Sequence, residues 1–109
     1  MTISVVTVLT LLVLHFIADF ICQSDWMAIN KSKRLDALLL HVSIYTFFFL
    51  GFGWKFAAVT FLTHLITDSL TSRLNSYLYE RSRHWFFVAI GADQLIHYFT
   101  LILTLCYLK

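Results

Sequence analysis

Four apolar windows, at 3–22, 35–52, 54–72 and 85–108, take up most of this chain and limit what it can fold into. A bilayer-crossing helix needs about 20 mostly apolar residues, within a range of about 17 to 25. The first three windows meet that length, and the fourth is long enough to tilt or to run past the bilayer. A segment in lipid must satisfy its backbone hydrogen bonds internally, so windows of this length read as helices. The expected fold is an all-α integral membrane four-helix bundle, one domain over residues 1–109. Charge agrees: 13% of residues are charged and 60% hydrophobic, whereas an ordinary soluble domain is about 25% charged. A soluble bundle with an unusually apolar core fits less well, because apolar residues surround most of each window rather than forming one stripe. The N-terminus has neither a basic n-region nor an Ala-x-Ala-like cleavage site, so the first window reads as a retained helix.

The links between windows give an orientation. Gly51-Phe52-Gly53 reads as a tight hairpin, while the links Gln23–Arg34 and Arg73–His84 are longer and carry most of the charge. Those two lie on one side and hold Lys31, Lys33, Arg34, Arg73, Arg81 and Arg83; Lys55 and Lys109 lie on the other. By the positive-inside rule the longer links are cytoplasmic and both termini outside. For a bacterial chain this is the cytoplasmic (inner) membrane. Trp26, Trp54 and Trp85 fall at window ends, where amphipathic rings prefer to sit.

Against this background seven histidines and aspartates lie away from the window ends: His15 and Asp19, His41, His64 and Asp68, and Asp93 and His97. Each such group at mid-bilayer costs about 2.5 to 3.5 kcal/mol on insertion scales. The burden is tolerable if the groups satisfy one another. His15–Asp19, His64–Asp68 and Asp93–His97 are each spaced i, i+4, which puts both members on one helix face. Thr60, Thr67 and Thr71, Thr100 and Thr104, and Tyr45 extend those faces into polar stripes that would point into the bundle.

Depth is a partly independent test. His15, His41, His64, Asp93 and His97 lie between about six and twelve residues inside the cytoplasmic window ends, within about 10 Å of one another in depth at about 1.5 Å per residue. Two windows run inward and two outward, so a common offset does not force the match. Four imidazoles and three carboxylates suit a divalent ion: zinc first, with iron or manganese also compatible. Seven donors are enough for two ions, or for one ion and its supporting shell. Two other uses are open: hydrogen bonding across helices, and an Asp–His proton relay. Spacing alone does not define such a site, since Glu80 and His84 are also four apart yet fall in a charged link.

The stretch His15-Phe-Ile-Ala-Asp19 and the stretch His64-Leu-Ile-Thr-Asp68 match, and each precedes a returning window with another histidine. Two repeated helical hairpins related by a pseudo-two-fold axis would give this pattern. The run from His15 through Asp19, Gln23, Asp25, Trp26, Met27 and Ala28 to Lys31 resembles the opening of a bacterial and phage membrane family, domain of unknown function 3307. His41-x-x-x-Tyr45, His64-x-x-x-Asp68 and Asp93-Gln94-x-x-His97 continue the resemblance over nearly the whole chain. It implies the architecture and the polar set, and no activity. The pattern is also loosely similar to small membrane proteins described as metal-dependent hydrolases.

With a bound ion, hydrolysis is the expected chemistry, because the ion acidifies a bound water and polarises a phosphoryl or carbonyl oxygen. Asp19 or Asp68 would orient that water or accept its proton. The cations of the longer links would hold a lipid-like or phosphorylated substrate, although the positive-inside rule accounts for them as well. The competing readings are a proton or divalent-metal transporter, which would need a homo-oligomer, and a non-catalytic phage or host accessory protein. The net charge of +2 is spread over the links and gives no nucleic-acid footprint. There is no Gly-x-Ser-x-Gly elbow, P-loop or dinucleotide fingerprint. The two cysteines, Cys22 and Cys106, lie near opposite ends of different windows, so no disulfide is expected.

Overall fold

The computed structural model describes residues 3–108. Ser4 starts the first helix, α1 (Val5–Phe16), by accepting a hydrogen bond from the Thr7 amide. The helix widens into a π-helical turn over Ile17–Ile21 and then stops. Ser24 repeats the capping move for α2 (Asp25–Asn30), accepting from the Met27 amide. Then come α3 (Leu35–Phe47), a 3-10 turn (Leu50–Phe52), α4 (Trp54–Tyr79) and α5 (Arg83–Leu108).

The all-α class therefore holds, with five α-helices among the described residues instead of four. The extra one is α2, which lies inside the link expected at Gln23–Arg34. The other long link shrinks to residues 80–82, because α4 runs on past residue 72. The second window does not stay helical to residue 52: α3 ends at Phe47 and the chain turns through Phe48–Gly53. At 13 residues α3 is about 20 Å long, against about 30 Å of bilayer hydrocarbon. The reversal at Gly51-Phe52-Gly53 is present, and Gly53 adopts φ 109°, ψ 155°, a conformation open to glycine alone. Lys109, expected on the outer side, lies outside the described residues.

The helices bury an unusual set of side chains. One end of the bundle, toward the 3-10 turn and the end of α5, has an apolar core of Leu11, Tyr45, Phe49, Phe56, Leu101 and Leu105. Toward α2 the interior is polar: His15, Asp19, His41, His64, Asp68, Asp93 and His97 are all buried, none more than 6% exposed. Much of the outward surface of α4 and α5 is apolar. On α4, Leu62, Ile66 and Leu70 are 57–66% exposed, on the side opposite the buried Thr60, His64 and Asp68. On α5, Leu95, Phe99 and Leu103 are exposed while Asp93 and His97 are buried. This reverses the usual amphipathic helix, whose polar face meets water.

Among the described residues, α5 is the one helix long and apolar enough to cross a membrane by length and hydropathy. α4 is as long, 26 residues or about 39 Å, but its inward histidine, aspartate, threonines and serines lower its mean hydropathy. The shorter apolar helices are Val5–Ile21 and Leu35–Phe47.

Candidate metal centre

Each of α1 with its π turn, α3, α4 and α5 delivers polar side chains to one interior point. On α4 the four-residue spacing stacks Thr60, His64, Asp68 and Ser72 along the buried face. On α5 the same spacing aligns Asp93 and His97. The π turn at Ile17–Ile21 turns both Ala18 and Asp19 inward. Extra residues of this kind inside α-helices are frequent at functional sites.

Asp19, His41, His64 and Asp68 each offer a donor atom, and the four donors lie within 4.8 Å of one another. His41 Nε2 is 2.9 Å from Asp19 Oδ1, 3.1 Å from Asp68 Oδ2 and 3.2 Å from His64 Nε2. His64 Nε2 is 3.3 Å from Asp68 Oδ2 and 3.6 Å from Asp19 Oδ1. These are five edges of one tetrahedron. Donors about 2.0–2.1 Å from a tetrahedral divalent ion are separated by about 3.3 Å, so the frame has the size of a coordination shell. Hydrogen bonding alone uses it poorly, since an imidazole nitrogen carries at most one hydrogen and each of these two faces three partners.

A second group, Asp19, Asp93 and His97, adjoins the first. His97 Nε2 is 3.2 Å from both Asp93 Oδ1 and Asp68 Oδ1. Asp68 therefore turns one oxygen to His41 and His64 and the other to His97.

His15 stands beside these groups. Gln94 Nε2 donates to Asp93 Oδ2, which turns the Gln94 amide oxygen toward His15 Nε2 at 2.6 Å. His15 must donate there, so its Nδ1 accepts from the Tyr45 hydroxyl, also at 2.6 Å. Both of its nitrogens are engaged, and Nε2 lies 3.7 Å from Asp19 Oδ2. Tyr45 also covers the His64 ring at a centroid distance of 3.8 Å.

All seven residues singled out in the sequence meet here, and His84 stays exposed next to Trp85. Two further participants have no such role in the sequence reading. Lys31 leaves the surface and places Nζ 3.2 Å from Asp68 Oδ2. Gln94 links Asp93 to His15. A lone lysine in a charged link and a glutamine beside an aspartate carry no periodic signal; the helix-capping Ser24-Asp25 pair, which fixes α2 and so Lys31, was the available clue.

A cavity of about 760 Å³ opens beside the site, with Asp19, Asp93 and Gln94 among its lining residues. Lys31 and Lys33 line its cationic part, and Phe20, Ile29, Phe86 and Ile90 its apolar part. Gln23 Oε1, Ser72 Oγ and Asn75 Oδ1 are buried along this wall without a hydrogen-bond partner among the described residues. Buried polar atoms are normally paired, so unpaired ones around a cavity mark a surface suited to a polar ligand.

A family model described as "Protein of unknown function (DUF3307)" matches residues 7–109 of the chain. No curated protein and no solved structure matches it.

Proposed function

Because the chain belongs to the DUF3307 family, whose description assigns no activity, we propose a function from the site itself: a membrane-embedded, metal-dependent hydrolase working near the cytoplasmic face on a phosphorylated, lipid-like substrate. The observation that carries the metal is the tetrahedral frame of Asp19, His41, His64 and Asp68, with edges of 2.9 to 3.6 Å. Zinc suits a tetrahedral set of two imidazoles and two carboxylates; iron and manganese tolerate the same donors. Charge supports a divalent ion too. The three buried carboxylates and the Lys31 ammonium leave two negative charges when the histidines are neutral, and one divalent ion balances them.

Membrane embedding is supported by the inverted distribution of side chains, polar inside and apolar outside. The two lysines and the unpaired polar atoms would receive an anionic, hydrogen-bonding head, and the phenylalanines and isoleucines an apolar tail. When bound, the ion would supply an acidified water and a Lewis-acidic contact to the phosphoryl oxygen. Hydrolysis of such a substrate would transfer a water oxygen to phosphorus and break the bond to the leaving oxygen, with a proton passing from the water to that oxygen. Asp19, both a ligand candidate and a cavity residue, would orient the water and accept its proton. Asp68 fixes the frame, and His15 orients Asp19 and Gln94.

The test starts with elemental analysis of the detergent-purified protein. Stoichiometric zinc, iron or manganese is expected, and His64→Ala should lower metal affinity by at least about 100-fold, more than loss of a supporting hydrogen bond costs. Unchanged metal content in that variant would refute the ligand role. Turnover of a phosphorylated lipid by the loaded protein supports the hydrolase; metal flux into proteoliposomes without turnover would replace it with a transporter.

A further inference from the structure

The geometry points to a second divalent-ion site next to the first, formed by Asp93, His97 and the outward oxygen of Asp68, with Asp19 beside it. The inference rests on the metal reading above and extends it from one ion to a carboxylate-bridged pair.

Asp68 has two oxygens with separate partners. Oδ2 lies 3.1 and 3.3 Å from the nitrogens of His41 and His64, and Oδ1 lies 3.2 Å from that of His97. A carboxylate placed this way bridges two ions naturally, one on each oxygen. His97 and Asp93 Oδ1 are themselves 3.2 Å apart, again the edge of a coordination shell. Asp93 is held for the role: the Thr71 hydroxyl donates to its Oδ1 and the Gln94 amide to its Oδ2. Ligating carboxylates are commonly oriented by such partners. Asp19 belongs to both donor groups and gives the pair a second shared carboxylate. Ions bridged in this way sit about 3.5–4 Å apart, the separation used in two-metal hydrolysis of phosphate esters.

Charge identifies the missing partner. One divalent ion neutralises the three carboxylates and Lys31; a second leaves two positive charges in a buried site. A dianion must accompany it, and the adjoining cavity, lined by Asp93, Gln94, Lys31 and Lys33, is the space beside the second ion. A phosphate monoester group has the required charge and enough oxygens to contact both ions. Binding of the second ion and of phosphate should therefore be mutually reinforcing.

Manganese is the probe. Protein stripped with chelator and reloaded with Mn(II) should bind two ions per chain, and their spins should couple in the electron paramagnetic resonance spectrum. His97→Ala and Asp93→Asn should each bind one ion and give the uncoupled six-line signal. Inorganic phosphate should tighten the second ion by about fivefold or more. One uncoupled ion per chain in the unaltered protein would remove the second site and leave the first standing. No bound ion would remove both. Two ions with no response to phosphate would overturn the assignment of the dianion. Circular dichroism of each variant checks that the helices persist, and if both variants unfold, the coupling in the unaltered protein still decides.

Discussion

Asp68 and Lys31 share an oxygen that an ion would also need. The Lys31 ammonium lies 3.2 Å from Asp68 Oδ2, the oxygen that also faces His41 and His64. The lysine thus partly neutralises a buried carboxylate whose isolation would be costly, and it also opposes a cation binding at the same atom. Replacing it by an uncharged residue of similar reach separates the two effects. Lys31→Gln should bind divalent metal more tightly, by about fivefold for roughly 1 kcal/mol of relieved repulsion. The same change should raise the KM for a phosphorylated substrate, because a cationic wall of the cavity is lost. Metal titration and substrate kinetics on one protein sample check both directions. A lysine serving only the positive-inside rule would move neither quantity.

At the scale of elements, the i, i+4 pairs were readable because a helix converts that spacing into a shared face whatever surrounds it. His64 and Asp68 on α4 and Asp93 and His97 on α5 meet the site as their spacing requires. The end of α3 was not readable: Phe47-Phe48-Phe49-Leu50 is uniformly apolar, and hydropathy does not register a change of chain direction within such a run. Nor was the π turn that directs Asp19 inward, since it changes hydrogen-bond register without a distinctive residue. The short α2 was hidden by its charged surroundings, though Ser24 caps it. Both hairpin glycines have open space around them, but the turn into α4 depends on Gly53, at φ 109° and ψ 155°, whereas Gly51 has no positive φ. Gly53→Ala should therefore destabilise the protein by about 1–3 kcal/mol, and Gly51→Ala by much less. Denaturation of the two variants in the same detergent gives the comparison, and equal losses would show that the backbone conformation at Gly53 is not the constraint.

For the whole molecule, many large apolar residues are outside while seven ionisable ones are inside, and the main cluster of buried apolar side chains lies toward one end of the bundle. The other end has seven ionisable side chains from four helical segments converging on one point. Without an ion their mutual contacts must offset the cost of burying three carboxylates; with one, the donors are tied to a common centre. Removing the metal should consequently loosen the bundle as a whole rather than one loop. An ion present at 100 times its dissociation constant stabilises the folded state by about 2.7 kcal/mol, provided that the unfolded chain does not bind it. A chelator should lower the thermal midpoint of the detergent-solubilised protein, and added divalent metal should restore it. His64→Ala, with one corner of the frame gone, should start from a lower midpoint and respond much less to either treatment. This separates the site from a hydrogen-bonded polar core that merely fixes helix register, for which chelation would leave the midpoint of the unaltered protein in place. It also separates a resident ion from a surface contaminant, because loss of a surface ion would not lower the midpoint at which all four segments unfold together.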